Sequence, residues 1–321
     1  MHRVLFLLLT FTLIILQGCT DRGDSYINQE FIQSYGDAEL YTEIHGSKSD
    51  TLIIVHGGPG AGIQSVIPFM KPLTRNFTLI FYDQRGGGRS TLPADTSLLK
   101  PIHFTEDLEA VRKHFSIDKM NLITHSFGSI LVSNYLQNYP GHVERLVLHG
   151  PTGPVRLEMG EYYQAKAANA PPPPDSSLAA EANRLLESLL SGSSDSPKSD
   201  CRRYEEINLR LAKMRGKHVG ITGTSCDAPA DAVAYYYEHT AQKAPANYGI
   251  WNYIGKLDHI KIPVLIIHGI DDSLAAAIQK RWTEVYPNSH FEGIPKADKG
   301  ALSQRPDTTL RLITDFFMIG R

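Results

Sequence analysis

Two short stretches of the chain carry residues suited to acyl transfer. Thr124-His125-Ser126-Phe127-Gly128 lies between an apolar run and a helical pattern, where a sharp turn lifts the Ser126 hydroxyl above a sheet. Such an elbow needs small residues two before and two after the serine. Gly128 meets this, while Thr124 stands where glycine is usual. A serine at a strand–helix junction is also an ordinary helix cap, so a second stretch matters. His56-Gly57-Gly58-Pro59-Gly60 follows the β-branched run Thr51 to Val55. Glycines there let peptide N–H groups face a cleft, which suits an oxyanion.

These residues need a scaffold, and the hydropathy rhythm supplies one. Strands are expected over Thr51–Val55, Leu79–Tyr82, Met120–Thr124 and Arg145–His149. Helices are expected from Thr105, as cap, to Phe115 and over Phe127–Asn138. Alternation of this kind indicates a parallel sheet covered on both faces. Phe31–Ser34 and Leu40–His45 read as an antiparallel pair turned at Gly36-Asp37. From Pro151 to about Lys256 the rhythm stops, and prolines 171–174 and the polar tract Ser191–Asp200 punctuate helical segments (Leu178–Leu190, Tyr204–Met214). It resumes with a strand at Ile262–His268, a helix at Ala275–Tyr286, a strand at His290–Ile294 and a helix at Thr308–Phe317. The first of these strands runs into Gly269-Ile270-Asp271-Asp272, an acid pair that either forms a turn or orients a base.

The glycine loop at 56–60, followed after the next strand by Asp83-Gln84-Arg85-Gly86-Gly87-Gly88-Arg89-Ser90, resembles the proline iminopeptidase family of α/β-hydrolases. The likeness covers about residues 36–150 and 255–320. It implies an α/β-hydrolase fold with a mostly parallel eight-stranded sheet, and the helical stretch from Pro151 to about Lys256 reads as an inserted cap; no cofactor or metal is expected. It also implies release of an N-terminal residue, often proline, from short peptides through an acyl-enzyme on Ser126. By that likeness Gly58 and Phe127 supply the oxyanion N–H groups, and Asp272 is the orienting acid, with Asp271 as runner-up. Within the Asp83–Ser90 segment an Asp83–Arg85 pair is expected.

The same likeness exposes a substitution. The family places its basic histidine between the last strand and the closing helix, and here that place falls on Lys299. No histidine follows His290, which begins the last strand far from the chemistry, and the elbow directs His125 elsewhere. A lysine base must be neutral, whereas its ordinary pKa is about 10.4. Burial lowers that value and a carboxylate raises it. The expectation is therefore a Lys299–Asp272 salt bridge and weakened or altered hydrolysis. Two other readings stay open: a degenerate hydrolase that binds a peptide or small ligand without turnover, and an esterase.

The remaining features place the chain. A length of 321 residues with 42% hydrophobic content suffices for a sizeable core, and a net charge of −2 gives no reason to expect nucleic acid. His2 and Arg3 precede the apolar stretch Val4–Leu16, and Leu16-Gln17-Gly18-Cys19 resembles a bacterial lipoprotein signal with Cys19 lipidated. The organisation read from this is a signal peptide (1–18), a tether (19–30), a core (31–150), a cap (151–256) and the rest of the core (257–321). The protein is thus expected to be exported and anchored to the membrane by lipid. In an oxidising compartment Cys201 and Cys226 are expected to pair, closing a loop of roughly 25 residues and stabilising the fold by about 3 kcal/mol. The 13 histidines show no metal-ligand spacing, and His149 and His268 read as core groups. In the cap, Tyr235–Tyr237 suit a pocket wall, and Glu205, Glu206 and Glu238 suit either a substrate amine or solvent.

Overall fold

Consecutive apolar residues in a strand point to opposite faces, so a run such as Leu52-Ile53-Ile54-Val55 needs cover on both sides. The computed structural model describes residues 27–319, and the apolar leader and Cys19 lie outside the described residues. Ile53 and Val55 enter one core with Ile80, Leu122 and Leu146, while Leu52 and Ile54 enter a second core with Leu79, Phe81, Ile123 and Val147. The sheet that separates these cores has eight strands: β1 (Ile27–Gln33), β2 (Glu39–His45), β3 (Thr51–Val55), β4 (Thr78–Tyr82), β5 (Met120–His125), β6 (Val143–His149), β7 (Val264–Gly269) and β8 (Ser289–Ile294). They are ordered β1-β2-β4-β3-β5-β6-β7-β8. The β1–β2 and β2–β4 pairings are antiparallel, and the other five neighbours are parallel. This is the mostly parallel eight-stranded sheet that the resemblance implies. The C-terminal ends of β3, β5, β6, β7 and β8 share one edge, where loops meet over the sheet.

Local chemistry moves some boundaries. The helix expected from Thr105 begins four residues earlier, at Pro101, and runs to His114. Proline suits a first turn because its missing N–H has no partner to lose. Thr105 is then not a cap but a buried helical residue, whose hydroxyl accepts from Asn134 Nδ2 at 3.0 Å. The helix expected over Ala275–Tyr286 is shorter, Ser273–Lys280, with a 3-10 turn at Arg281–Glu284.

Between β6 and β7 the chain forms helices Arg156–Ala168, Ser176–Ser191, Pro197–Met214 and Ala230–Tyr235, the last continuing through a π turn into Ala241–Asn247. The two ends of this insertion are tied together, Arg156 N donating to Trp251 O at 3.0 Å and Tyr253 N to Pro154 O at 3.1 Å. The expected disulfide is present, joining Cys201 in helix Pro197–Met214 to Cys226 across a separation of 25 residues. The segment ahead of Cys226 crosses the cleft. An added Cβ on Gly223 would lie 2.4 Å from the carbonyls of Gln64 and Ser65, and Gln304 Nε2 donates to His218 O at 2.9 Å. Among the described residues no helix is long and apolar enough to cross a membrane.

Candidate active site

The turn after β5 places Ser126 in the left-handed region, φ 53°. A non-glycine residue is held there only when its surroundings over-determine it. Here the Ser126 carbonyl accepts from Ser129 N, Thr152 N and Ser129 Oγ, at 3.1, 3.1 and 2.8 Å. Gly128 is required by close approach, since a Cβ would stand 2.5 Å from Val55 O. Thr124, in the place where glycine is usual, fits because its buried hydroxyl turns away and donates to Val147 O at 3.3 Å.

The glycine loop lies flush against the nucleophile, for a Cβ on Gly57 would sit 2.7 Å from Ser126 Cβ. Gln84 fixes this loop at three points. Its amide N donates to His56 Nε2 at 3.1 Å, its side-chain NH₂ donates to His56 O at 2.8 Å, and its Oε1 accepts from Gly60 N at 3.2 Å. With Nε2 accepting, His56 carries its proton on Nδ1 and donates to Gly57 O at 2.8 Å. Burial lowers the His56 pKa to about 4, so the ring stays neutral. Asp83 does not pair with Arg85. It accepts from the amides of Ile63 (2.7 Å) and Arg89 (2.8 Å), while Arg85 makes a buried bidentate pair with Asp107 at 2.6 and 2.7 Å. The reason is reach: Asp107 lies inside helix Pro101–His114, facing the turn. The amides of Gly58 and Phe127 donate to no protein group among the described residues.

Lys299 is placed by the loop after β8. That loop is stitched to the end of β7, Gly269 N donating to Asp298 O and Asp271 N to Ala297 O, both at 3.0 Å. Asp271 Oδ1 accepts from Lys296 N at 3.0 Å. Lys299 Nζ then donates to Ser126 Oγ at 2.7 Å. Lys299 as a residue is exposed, while its amine lies against Ser126 in the cleft and is partly withdrawn from water. That loss of water lowers its pKa, against a weaker opposing pull from Asp298.

The expected Lys299–Asp272 salt bridge does not form. Asp272 Oδ2 accepts instead from Tyr162 Oη at 2.7 Å and Lys166 Nζ at 3.1 Å, and its Oδ1 caps helix Ser273–Lys280 by accepting from Ala275 N at 3.0 Å. Burial pushes this carboxyl up, but the bonds from Ala275, Tyr162 and Lys166 outweigh it and bring its pKa to about 2. Tyr162 and Lys166 stand one helical turn apart and reach Asp272 from the cap side, which leaves Lys299 free to face Ser126.

Among the described residues no histidine touches the Ser126 hydroxyl. His149 Nε2 accepts from Leu302 N at 3.0 Å and its Nδ1 faces His125 Nδ1 at 3.1 Å. Both rings have lowered pKa values through burial, His149 to about 3. His268 is buried with Nδ1 on Gly269 O at 2.7 Å, and His290 is exposed beside Glu292. In the cap, Glu206 pairs with Arg203 and Glu205 is held near Ser225, its pKa raised by burial.

Two cavities meet at Lys299. One, of about 430 Å³, is lined by Gly58, Phe69, Ser126, Ile221 and Tyr236, and no carboxylate among the described residues lines it. The other, of about 760 Å³, is lined by Lys166, Asp272 and Gln279 among others, and Lys299 belongs to both walls. Phe69, Lys166 and the strap at 221–223 belong to no motif read from the sequence. The Tyr162/Lys166 spacing of four was the one signal among them.

Residues 50–299 match the family described as alpha/beta hydrolase fold. The chain belongs to that family. Within it the chain is 26% identical over 273 residues to the proline iminopeptidase of Lactobacillus helveticus, covering 79% of this chain and 87% of the relative. It is 33% identical over 100 residues to that of Heyndrickxia coagulans, where it spans 34% of the relative's length. In the proline iminopeptidase of Saccharolobus solfataricus it spans 43%. Among solved alpha/beta hydrolases, the proline iminopeptidase of Mycobacterium smegmatis superposes with a TM-score of 0.61 at 18% identity, over 90% of this chain and 97% of that one. The esterase RhEst1 from Rhodococcus sp. ECU1013 gives 0.61 at 19%, over 91% and 99%. The likeness to proline iminopeptidases read from the motifs is thus shared by relatives, and the fold by both kinds of hydrolase.

Proposed function

We propose that the protein is a serine hydrolase whose nucleophile Ser126 is activated by Lys299. The observation that carries this reading is the 2.7 Å bond between Lys299 Nζ and Ser126 Oγ. A Ser–Lys pair is a recognised alternative to the histidine triad. Neutral Lys299 takes the hydroxyl proton as Ser126 attacks the acyl carbon. The free N–H groups of Gly58 and Phe127 stabilise the resulting oxyanion. Lys299 then returns the proton to the leaving atom, and water releases the acyl group by the reverse path. Asp272 is removed from the proton route by its bonds to Tyr162 and Lys166.

The relatives favour release of an N-terminal residue from a short peptide. One observation favours an ester instead: the Ser126 cavity offers no carboxylate to a substrate amine. Both readings share the dyad. Prolyl and alanyl p-nitroanilides and p-nitrophenyl acetate, assayed with wild type, Ser126→Ala and Lys299→Met, test it. Each substitution is expected to lower kcat/KM by about 10²- to 10⁴-fold. Wild-type turnover that survives Ser126→Ala overturns the proposal, and an inert wild type leaves the degenerate binding reading.

We also infer that the protein is exported and lipid-anchored through Cys19. The disulfide, a bond of oxidising compartments, supports this. Loss of membrane association in Cys19→Ser is the expected result.

A further inference from the structure

We infer that the cleft is divided at Lys299, with the acyl group on the Ser126 side and an anionic leaving group, such as the carboxylate-bearing remainder of a short peptide, in the cavity beyond. This rests on the hydrolase reading above. A base that takes a proton from Ser126 must deliver it to the atom that departs, so that atom has to lie within reach of Nζ. Lys299 is the one residue common to the two cavity linings. In the step concerned, the Ser126 oxygen has bonded to the acyl carbon, the carbon–nitrogen bond breaks, its electron pair goes to nitrogen, and the Lys299 proton joins it. The departing amine is then already in the second cavity.

The linings differ as this division requires. The Ser126 cavity presents Phe69, Ile221 and Tyr236, and among the described residues Lys299 is the lysine on its wall, with no arginine or carboxylate beside it. The second cavity, of about 760 Å³, presents Lys217 and Lys296, neither of which forms an ion pair among the described residues. With Lys166 and Lys299 these make four lysines on its wall against three carboxylates, each of which accepts at least one hydrogen bond. Asp272 is held by Lys166 and Tyr162, Asp271 accepts from Lys296 N at 3.0 Å, and Asp298 accepts from Gly300 N at 3.1 Å. A second and independent sign is Gln279. It is 3% exposed and lines this cavity, its Nε2 reaches only Met159 Sδ at 3.7 Å, and its Oε1 has no partner. A buried acceptor without a donor asks for one. A peptide N–H satisfies Gln279, and a terminal carboxylate satisfies Lys217 and Lys296.

Binding of the leaving-group product tests the division without relying on turnover. Calorimetry with wild type should show glycylglycine binding roughly three- to tenfold tighter than glycylglycinamide, the scale of two partly exposed charge contacts. Lys217→Met/Lys296→Met should erase the preference, and Lys217→Arg/Lys296→Arg should keep it. Gln279→Leu should weaken both ligands while leaving their ratio intact. Equal binding of the two ligands, or binding of neither, overturns the inference. Measured beside the Ser126-dependent assays, the outcomes separate. Turnover without the preference defeats the inference alone, whereas the preference in an inert wild type defeats the hydrolase reading.

Discussion

The hydrogen bond from Lys299 Nζ to Ser126 Oγ, 2.7 Å long, joins residues 173 positions apart and involves no carboxylate. Two loops make it possible. The elbow pins Ser126 through its carbonyl, and the segment after β8 is fastened to β7 through Asp298 and Ala297. With Asp272 turned toward Tyr162 and Lys166, burial acts on Lys299 against Asp298 alone. The two opposing influences on Lys299 are therefore unequal, and its pKa lies below the ordinary lysine value.

A pH profile follows from that imbalance. Lys299 works only when neutral, so kcat/KM should rise with pH along a limb centred below the ordinary lysine value of about 10.4. As pH falls through its lowered pKa, Lys299 gains a proton and can no longer accept one from Ser126. In Lys299→His the limb should move toward about 6.5. A limb that stays where it is in Lys299→His would assign the titration to another group.

Asp272 should matter for stability more than for rate. Its side chain caps helix Ser273–Lys280 and ties it to Lys166 of the neighbouring helix. Asp272→Ala should cost about 1–2 kcal/mol, most of it from the lost cap. It should lower kcat/KM less than about tenfold, far short of the loss for Ser126→Ala. Urea midpoints and rates measured on one preparation check both. A rate loss equal to that of Lys299→Met would return Asp272 to the proton route.

Mild acid should weaken the fold through its buried histidines. His56 and His149 have folded-state pKa values of about 4 and about 3, below an ordinary value of about 6.5. Unfolded chains thus bind more protons than folded ones in this window. Stability is full above about pH 6.5 and falls as pH drops toward 4, by up to about 1.4 kcal/mol per unit for each ring. Protonation would also break the bonds that Gln84 N and Leu302 N donate to their Nε2 atoms. Asp83, raised by burial to about 6, and Glu205, also raised by burial, act in the opposite sense, while the buried His125 and His268, whose pKa values are lowered, add to the loss. Urea midpoints at about pH 7, 5.5 and 4.5 should decline in order, and a constant midpoint would show that these rings are not buried neutral.

The sheet was legible because β-branched runs and glycine breaks are local signals that burial enforces. The same holds for the elbow at Ser126 and for the loop at 56–60, whose spacing reflects two backbones in contact. Partnerships between side chains were much less legible. Arg85 chose Asp107 over its near neighbour Asp83, and Asp272 chose Lys166 over Lys299. Each choice depends on where a helix from another part of the chain presents its charge, which no local pattern encodes. Lys299 itself was found by position, whereas its contact with Ser126 required the loop after β8 in three dimensions. Pro101 shows the smaller error, a helix start set by proline although Thr105 offered the better capping group.

Gly57→Ala isolates the contact between the glycine loop and the nucleophile. The new Cβ would stand 2.7 Å from Ser126 Cβ, 3.1 Å from His125 O and 3.3 Å from Ser126 Oγ. Separations under about 3 Å are not tolerated between such atoms, so one backbone must move. Ser126 is the better anchored of the two, its carbonyl held by Ser129 and Thr152. The loop should therefore shift and carry the Gly58 N–H away from the developing oxyanion. Losing one such donor costs about 10²- to 10³-fold in kcat, with KM less affected. Gly141→Ala, where a Cβ meets nothing within 4 Å, serves as control and should behave as wild type. Retention of full kcat in Gly57→Ala would mean that the amide of Gly58 does not face the reacting carbonyl.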